Sequence, residues 1–158
     1  MPLLIDGYNL LWAVQKSGES MEALDDAELC RILSGYLVLT GQRAEIIFDG
    51  TGPPAKQAFD NLKALDVLFS GRDRDADTVI EDKIRTDSAP RRLMVVSSDR
   101  KVRKAAQVRK AASVKSELFW IDVCKAMSKK RKVREPQGKR GGISSGETEQ
   151  WLKFFKIK

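Results

Sequence analysis

The chain contains no histidine, and this absence excludes several kinds of catalytic site. Ser-His-Asp and Cys-His triads, ribonuclease chemistry with a histidine general base and most catalytic zinc sites all need an imidazole. Cysteine is also scarce, because Cys30 and Cys124 are the only two and lie far apart, without metal-ligand spacing. We expect both to be reduced, buried thiols of a cytoplasmic protein.

Long apolar runs are missing as well. No stretch approaches the roughly 18 residues that a membrane span requires, and the N-terminus leads directly into a predicted strand rather than a signal peptide. We therefore expect no membrane partner. A length of 158 residues with 42% hydrophobic content is enough for one packed domain. The oligomeric state stays open.

Positive charge is abundant and unevenly distributed. The formal net charge of +7 favours a polyanionic partner such as RNA. Seven Lys or Arg and no acidic residue lie between Arg100 and Lys115. We predict that the first four of them contact RNA phosphates, although a solvated helix face is the alternative; they are Arg100, Lys101, Arg103 and Lys104.

Strand-like and helix-like segments alternate along the chain. Apolar, largely β-branched runs occupy residues 2–5, 45–48, 66–69 and 93–96, and we expect a fifth strand at 117–121. A helix is predicted to end before Gly41, a second to begin near Asp75 and a basic third to follow Asp99. This alternation predicts an α/β fold with three α/β/α layers and a mostly parallel central sheet.

The end of the chain has a different composition. Lys125–Arg140 has eight basic residues against one acidic residue, Glu135, and reads as a helix end followed by a mobile basic linker. Beyond it, Ser144 and Glu147 match a capping box, and Trp151 lies on an apolar face. We therefore divide the chain into a main domain, 1–128, and a basic linker with a short C-terminal helix, 129–158.

An aspartate stands at or just beyond the end of each of the four apolar runs: Asp6, Asp49, Asp77 and Asp99. The carboxyl ends of parallel strands form the crevice in which ligands bind. Carboxylates gathered there repel one another unless a cation neutralises them. A site with only oxygen ligands suits one or two Mg²⁺ or Mn²⁺ ions rather than zinc. Without histidine, metal-bound water is the nucleophile we expect for phosphodiester hydrolysis.

Three further residues are candidate members of this site. Asn9 can orient a metal-bound water or a phosphate, and Gly7 permits close backbone approach to a ligand. Glu81 lies one helical turn after Asp77 on the same flank, so it can bind metal directly or through water. Asp75 is an additional carboxylate whose role is open.

Each of these acids also has an ordinary structural interpretation. Asp6 and Asp99 are suitable helix caps, and Asp49 suits a turn. Glu81 can form an ion pair with Arg85, and Asp75 can cap its helix.

Several motifs, taken in order, resemble the NYN domain of the PIN-like nuclease superfamily, in its YacP-like branch. They are Leu4–Asn9, Ile47–Asp49, Ala76–Glu81 and Ser97–Asp99, and Lys115–Phe119 looks like the family's late strand. The resemblance implies a three-layer fold and a metal-dependent nuclease site at Asp6, Asp49, Asp77 and Asp99, supported by Asn9 and Glu81. It also implies a role on messenger RNA at the ribosome. Asp75 departs from the pattern, which has Thr there.

We therefore predict a metal-dependent endoribonuclease that hydrolyses RNA. The alternative is a non-catalytic RNA- or ribosome-binding protein with a vestigial acidic site. A phosphatase for small substrates ranks last, because its aspartyl nucleophile typically has a second Asp two residues on. Tyr8 stands there after Asp6, and Thr51 after Asp49.

Overall fold

The computed structural model of the chain describes residues 2–18 and 24–138. Five strands and five α-helices follow one another in the order β1 Leu3–Asp6, α1 Gly7–Lys16, α2 Asp26–Thr40, β2 Ala44–Phe48, β3 Leu65–Phe69, α3 Ala76–Thr86, β4 Met94–Val96, α4 Arg100–Val108, β5 Ala112–Val114 and α5 Ser116–Gly138. Short 3₁₀ turns at Gln57–Phe59 and Pro90–Arg92 precede β3 and β4. Within the described residues, no helix is long and apolar enough to cross a membrane.

All five strands are parallel and pair in the order β3-β2-β1-β4-β5. The predicted α/β class with a parallel sheet is therefore confirmed. The chain adds β2 and β3 on one side of β1 and then crosses over to add β4 and β5 on the other. The carboxyl ends of β1 and β4 thus flank a topological switch point, which is where open α/β sheets bind ligands.

Helices cover both faces of the sheet. Successive side chains of a strand point to opposite faces, and here the side chains on both faces are apolar and need to be buried. Ile5 and Ile46 point into a core shared with α1, α2 and α5, whereas Leu4 and Ile47 point into a core shared with α3 and α4. All four side chains are at most 2% exposed. This double burial explains why the strands read as continuous apolar runs.

Helix α1 was not predicted. The helix begins at Gly7 immediately after the strand. It buries Leu10, Leu11 and Val14, which are spaced for one helical face. Gly7 and Asn9 are typical turn residues, so the sequence pattern does not show that a helix begins here.

The prediction of a strand at 117–121 is wrong. The fifth strand is β5, and the residues from Ser116 onward form α5. Phe119, Trp120, Val123 and Cys124 are buried at helical spacing, so tertiary packing selects the helix. The late-strand reading of Lys115–Phe119 fails for the same reason.

The predicted linker is also wrong over residues 129–138, because α5 continues through them to Gly138. Most residues there, including Lys, Arg and Glu, are good helix formers, so the charge run does not break the helix. The predicted capping box at Ser144 and the apolar face with Trp151 lie outside the described residues. The division of the chain at residue 128 stays a proposal.

Candidate active site

Three of the predicted acids meet at the carboxyl edge of the sheet, beside the switch point. Asp6 is the last residue of β1, and Asp99 is the N-cap of α4 directly after β4. Asp77 comes from the first turn of α3, which packs on the opposite face from α1. Segments more than 90 residues apart in the chain therefore contribute to one site.

Asp6 is the most strongly perturbed of these carboxyls. It is 6% exposed, and its pKa is raised from 3.8 to about 6. Burial is the largest cause, and the negative charges of Asp77 and Asp99 add to it, while a hydrogen bond from Ser97 opposes it. Asp6 holds the N-cap position of α1, yet its side chain makes no capping hydrogen bond. The Asn9 backbone N–H in the first turn of α1 is the last and smallest of the influences on the pKa of Asp6, so capping alone does not account for this carboxylate.

Asp77 belongs to the same electrostatic group. Its pKa is raised by burial first, then by the charges of Asp99 and Asp75, a hydrogen bond with the Asp99 carboxyl and the charge of Glu81. Among the described residues, neither Asp6, Asp77 nor Asp99 has an ion pair with Lys or Arg. In the part of the chain that the structure describes, the mutual repulsion of the three carboxylates is therefore not offset by an ion pair with a basic side chain.

Ser97 connects two of the three acids. Its hydroxyl donates to Asp6 Oδ2 at 2.9 Å and accepts the Asp99 backbone N–H at 3.0 Å. The side chain is fully buried, so the hydroxyl has no competing solvent. No role was predicted for Ser97, because its partner Asp6 is 91 residues away.

Asn9 holds the loop after β4 in place. Its Oδ1 accepts the Ser98 backbone N–H at 2.9 Å and the Ser116 hydroxyl at 2.6 Å. The Ser98 hydroxyl in turn accepts the Ser116 N–H at 3.0 Å and donates to Glu117. The carbonyl of Asn9 is therefore used to position the loop that carries Asp99, and only its amide N–H groups remain for a ligand.

Asp49, which follows β2, binds the start of α3. It is exposed, and its Oδ1 accepts the Ala76 N–H of α3 at 3.0 Å and the Ser70 hydroxyl at 3.3 Å. Its charge adds to the raised pKa of Tyr8, after burial and Asp26. A groove of about 440 Å³ adjoins it, lined by Asp49, Gly50, Thr51, Gly71, Arg72, Asp73, Arg74 and Asp75. Asp49 thus fixes the helix that presents Asp77.

Glu81 lies on α3 and faces α4. Its carboxylate is 3.8 Å from the Lys101 ammonium, so the predicted alternative partner, Arg85, is not the one found. Arg85 instead pairs with Asp82, which also binds Arg74.

Asp75 caps α3, as one of its two interpretations predicted. Its Oδ1 accepts the Thr78 N–H at 2.8 Å and the Thr78 hydroxyl at 2.7 Å. These hydrogen bonds are the main reason that the pKa of Asp75 lies below its usual value. Its charge nevertheless acts on Asp77.

The basic residues of α4 begin directly beside Asp99. Arg100, Lys101 and Lys104 are exposed and Arg103 is half-buried. Within the described residues, the Nε of Arg103 is buried without a hydrogen-bond partner. A strongly positive helix face therefore adjoins the three carboxylates.

The chemistry of the donors fits a hard divalent cation. They are carboxylate oxygens, and the like charges of Asp77 and Asp99 raise the pKa of Asp6, a cost that a cation would remove. In the part of the chain that the structure describes, however, no group of three or more Cys, Asp or Glu is already arranged to hold a metal. Asp6, Asp77 and Asp99 would have to turn toward a common ion.

Comparisons with known proteins agree with this fold. Rae1 (YacP) from Bacillus subtilis has a solved structure that superposes with a TM-score of 0.71, at 21% identity, over 99% of this chain and 92% of that one. A single-substitution mutant of it gives a TM-score of 0.64, also at 21% identity, over 98% and 92%. None of the curated proteins matches in sequence. The sequence model for the YacP-like NYN domain matches residues 3–154. The chain therefore belongs to the YacP-like NYN domain family, which is a nuclease-type family.

Proposed function

We propose that this protein is a metal-dependent endoribonuclease that hydrolyses RNA phosphodiester bonds. Asp6, Asp77 and Asp99 would hold Mg²⁺ or Mn²⁺. Asp49 and Glu81 would support the site from its two sides, and Asn9 would position the loop that carries Asp99. These acids would hold one or two ions.

One observation carries the proposal. Three carboxylates, contributed by β1, α3 and the loop after β4, lie together at the switch point. The charges of Asp77 and Asp99 add to the raised pKa of Asp6, and the charge of Asp99 adds to that of Asp77. A stable fold retains such repulsion at a cost of stability, and the usual reason for doing so is function. The family membership supports the same conclusion.

The residues have separate tasks in this proposal. When bound, the metal supplies an activated water and neutralises charge on the departing oxygen. Ser97 fixes the position of the Asp6 carboxylate relative to the Asp99 backbone, because its hydroxyl bonds to both. Arg100 and Lys104 are exposed next to Asp99, so they would hold the RNA backbone across the acids.

The RNA class is proposed from the family resemblance. We propose messenger RNA at the ribosome as the substrate and the cytoplasm as the location. The net charge of +7 agrees with a polyanionic partner of this kind. Ribosome profiling of cells that lack the protein tests this point separately from the chemistry.

The first test is metal dependence. End-labelled single-stranded RNA should be cut internally in Mn²⁺ or Mg²⁺, and cleavage should stop in EDTA because the water is then no longer activated. Gel analysis of the products measures both effects. Cleavage that continues in EDTA would overturn the metal-dependent mechanism.

The absence of a preassembled metal group among the described residues favours a second candidate. This is an RNA- or ribosome-binding protein whose acids no longer act in catalysis. It predicts RNA binding that weakens with salt, without cleavage in any divalent metal. Binding without turnover in both Mn²⁺ and Mg²⁺ would select it.

The role of α4 gives a second prediction. In the Arg100→Gln, Lys104→Gln double variant, RNA affinity should fall, and the slope of log K against log salt should decrease in magnitude by about 1–2, since two phosphate contacts are lost. Fluorescence anisotropy over a salt series measures this. The control is Arg91→Gln, Arg92→Gln, which removes two exposed arginines from the 3₁₀ turn before β4, at the opposite edge of the sheet. Equal effects in both variants would show that α4 makes no specific contact.

A further inference from the structure

Helix α1 presents an aromatic and basic stripe to solvent. Tyr8, Trp12 and Lys16 are four residues apart, so they lie on one face. Tyr8 is 39% and Trp12 66% exposed, whereas Trp120 in the core is only 3% exposed. Helix α1 packs on the core through its other face, which carries Leu10, Leu11 and Val14. A contribution to the core therefore does not explain why Trp12 is exposed.

The stripe begins at the candidate active site. Tyr8 is two residues beyond Asp6, and its ring packs on Phe48 at a centroid distance of 4.9 Å. Phe48 immediately precedes Asp49 in the loop after β2. Each step from Tyr8 to Trp12 to Lys16 then moves about 6 Å along the helix axis, away from the acids.

A positive charge accompanies the exposed indole. The Lys16 ammonium lies 4.7 Å from the centroid of the Trp12 ring. Aromatic faces on which bases stack, combined with cations that bind phosphates, are how proteins hold single-stranded nucleic acid without sequence preference. Lys16 also acts electrostatically on Glu117, which places this end of the stripe near the start of α5.

We infer that Trp12, together with Tyr8 and Lys16, forms a stacking platform for unpaired bases of RNA. A base would stack on the indole of Trp12, and the ammonium of Lys16 would move to the adjacent phosphate. The inference rests on the proposed function, because RNA is taken as the substrate. It extends that function by assigning the strand a path from the acids along α1, distinct from the phosphate contacts of α4.

The test measures binding separately from cleavage. In an Asp6→Asn background, Trp12→Leu should weaken the affinity for a fluorescein-labelled 12-nucleotide oligoadenylate by roughly 5- to 100-fold, and Trp12→Phe should weaken it much less. Leu keeps an apolar side chain without a π face, so the pair isolates stacking. Val38→Ala, which alters an exposed apolar position at the far end of α2, should leave the affinity unchanged; Val38 is 54% exposed.

An abasic oligonucleotide of the same length serves as the ligand control, since it retains the phosphates without bases. Trp12→Leu should have no effect on its binding. Lys16→Gln should weaken both oligonucleotides and reduce the salt slope by about 0.7. Equal losses with the normal and abasic strands in Trp12→Leu would overturn stacking.

The outcomes separate this inference from the proposed function. Unchanged oligoadenylate binding in Trp12→Leu, with metal-dependent cleavage intact in the natural protein, refutes the platform alone. Weakened binding in Trp12→Leu, with no cleavage by the natural protein in any metal, supports the platform and refutes the nuclease proposal. Urea denaturation confirms that each variant is folded.

Discussion

Asp6→Asn is expected to abolish cleavage while making the metal-free protein more stable. The loss of activity should be about 10²–10³-fold or more, because several kcal/mol of charge stabilisation depend on a held metal. Stability should rise because the substitution removes a buried charge that Asp77 and Asp99 repel. Asn keeps the shape and an oxygen that can still accept the Ser97 hydroxyl.

The pH dependence of this stability follows from the raised pKa. The pKa of Asp6 is about 6 in the folded protein against an ordinary value of 3.8, so the native state binds more protons than the unfolded state between these values. The stability of the metal-free natural protein should therefore fall as pH rises from about 4 to 7. The full penalty, on the order of 2–3 kcal/mol, applies above pH 6. Asp6→Asn lacks this contribution, so the two proteins should converge near pH 4.

Urea denaturation in EDTA at pH 7 and pH 4 measures the difference. Asp60→Asn is the matched control, since it removes the same charge from an exposed loop position. Adding Mn²⁺ should raise the stability of the natural protein but not that of Asp6→Asn. If Asp6→Asn is less stable than the natural protein at pH 7, then Asp6 is a structural residue, and the proposed site loses its central carboxylate.

Gly7→Ala is expected to destabilise the protein by about 1–3 kcal/mol, the usual cost of overpacking. A Cβ at this position would lie 2.6 Å from Phe48 Cε1 and 2.8 Å from the Ile47 carbonyl oxygen. Phe48 is fully buried and packs on the rings of Tyr8, Phe59 and Phe69, so it cannot retreat. We expected Gly7 to let a ligand approach the backbone closely. In the structure, Phe48 and Ile47 of β2 are the residues that approach it.

Gly35→Ala provides the matched control, with the opposite expected sign. Gly35 lies inside α2, where the nearest atom to an added Cβ is Met127 Cε at an ordinary 3.5 Å. Ala there should stabilise by up to about 1 kcal/mol through its helix propensity. Thermal and urea denaturation of both variants measure the contrast. Equal stability of Gly7→Ala and Gly35→Ala would contradict the tight junction between α1 and β2.

A displacement of the backbone at Gly7 should also shift the neighbouring residues of the candidate active site. Asp6 precedes it directly, and Asn9 two residues later binds the Ser98 backbone. We therefore expect folded Gly7→Ala to cleave RNA more slowly, whereas Gly35→Ala should retain full activity.

The sequence predicted the sheet well because its strands are buried on both sides and read as apolar runs. The sequence-based prediction failed where the β propensity of the residues and the helical spacing of their buried positions disagree. Residues 117–121 contain β-favouring Phe119, Trp120 and Ile121, yet they belong to α5, because the buried positions recur every three to four residues. The helix α1 was missed because Gly7 and Asn9 are typical turn residues, and their role in packing shows only in the folded chain.

The candidate site shows the same division. Residue types and their positions after strands pointed to Asp6, Asp77 and Asp99, which the fold brings together. Asp49 has the same local pattern, and it accepts the Ala76 N–H as Asp99 accepts the Lys101 N–H, but its charge is not among those that act on the pKa of Asp6 or Asp77. Ser97 and Ser116 were given no role, since their partners lie 91 and 107 residues away.

By itself, the sequence determined the kinds of group available: carboxylates after strands, a basic helix beside one of them and no imidazole. Local periodicity and composition encode such properties because they depend on neighbouring residues. The tertiary structure decided which carboxylates lie close enough for their charges to act on one another. The pairing order β3-β2-β1-β4-β5 sets β1 beside β4, and burial there raises the pKa of Asp6. Both effects arise from contacts between distant segments, which a local pattern does not contain.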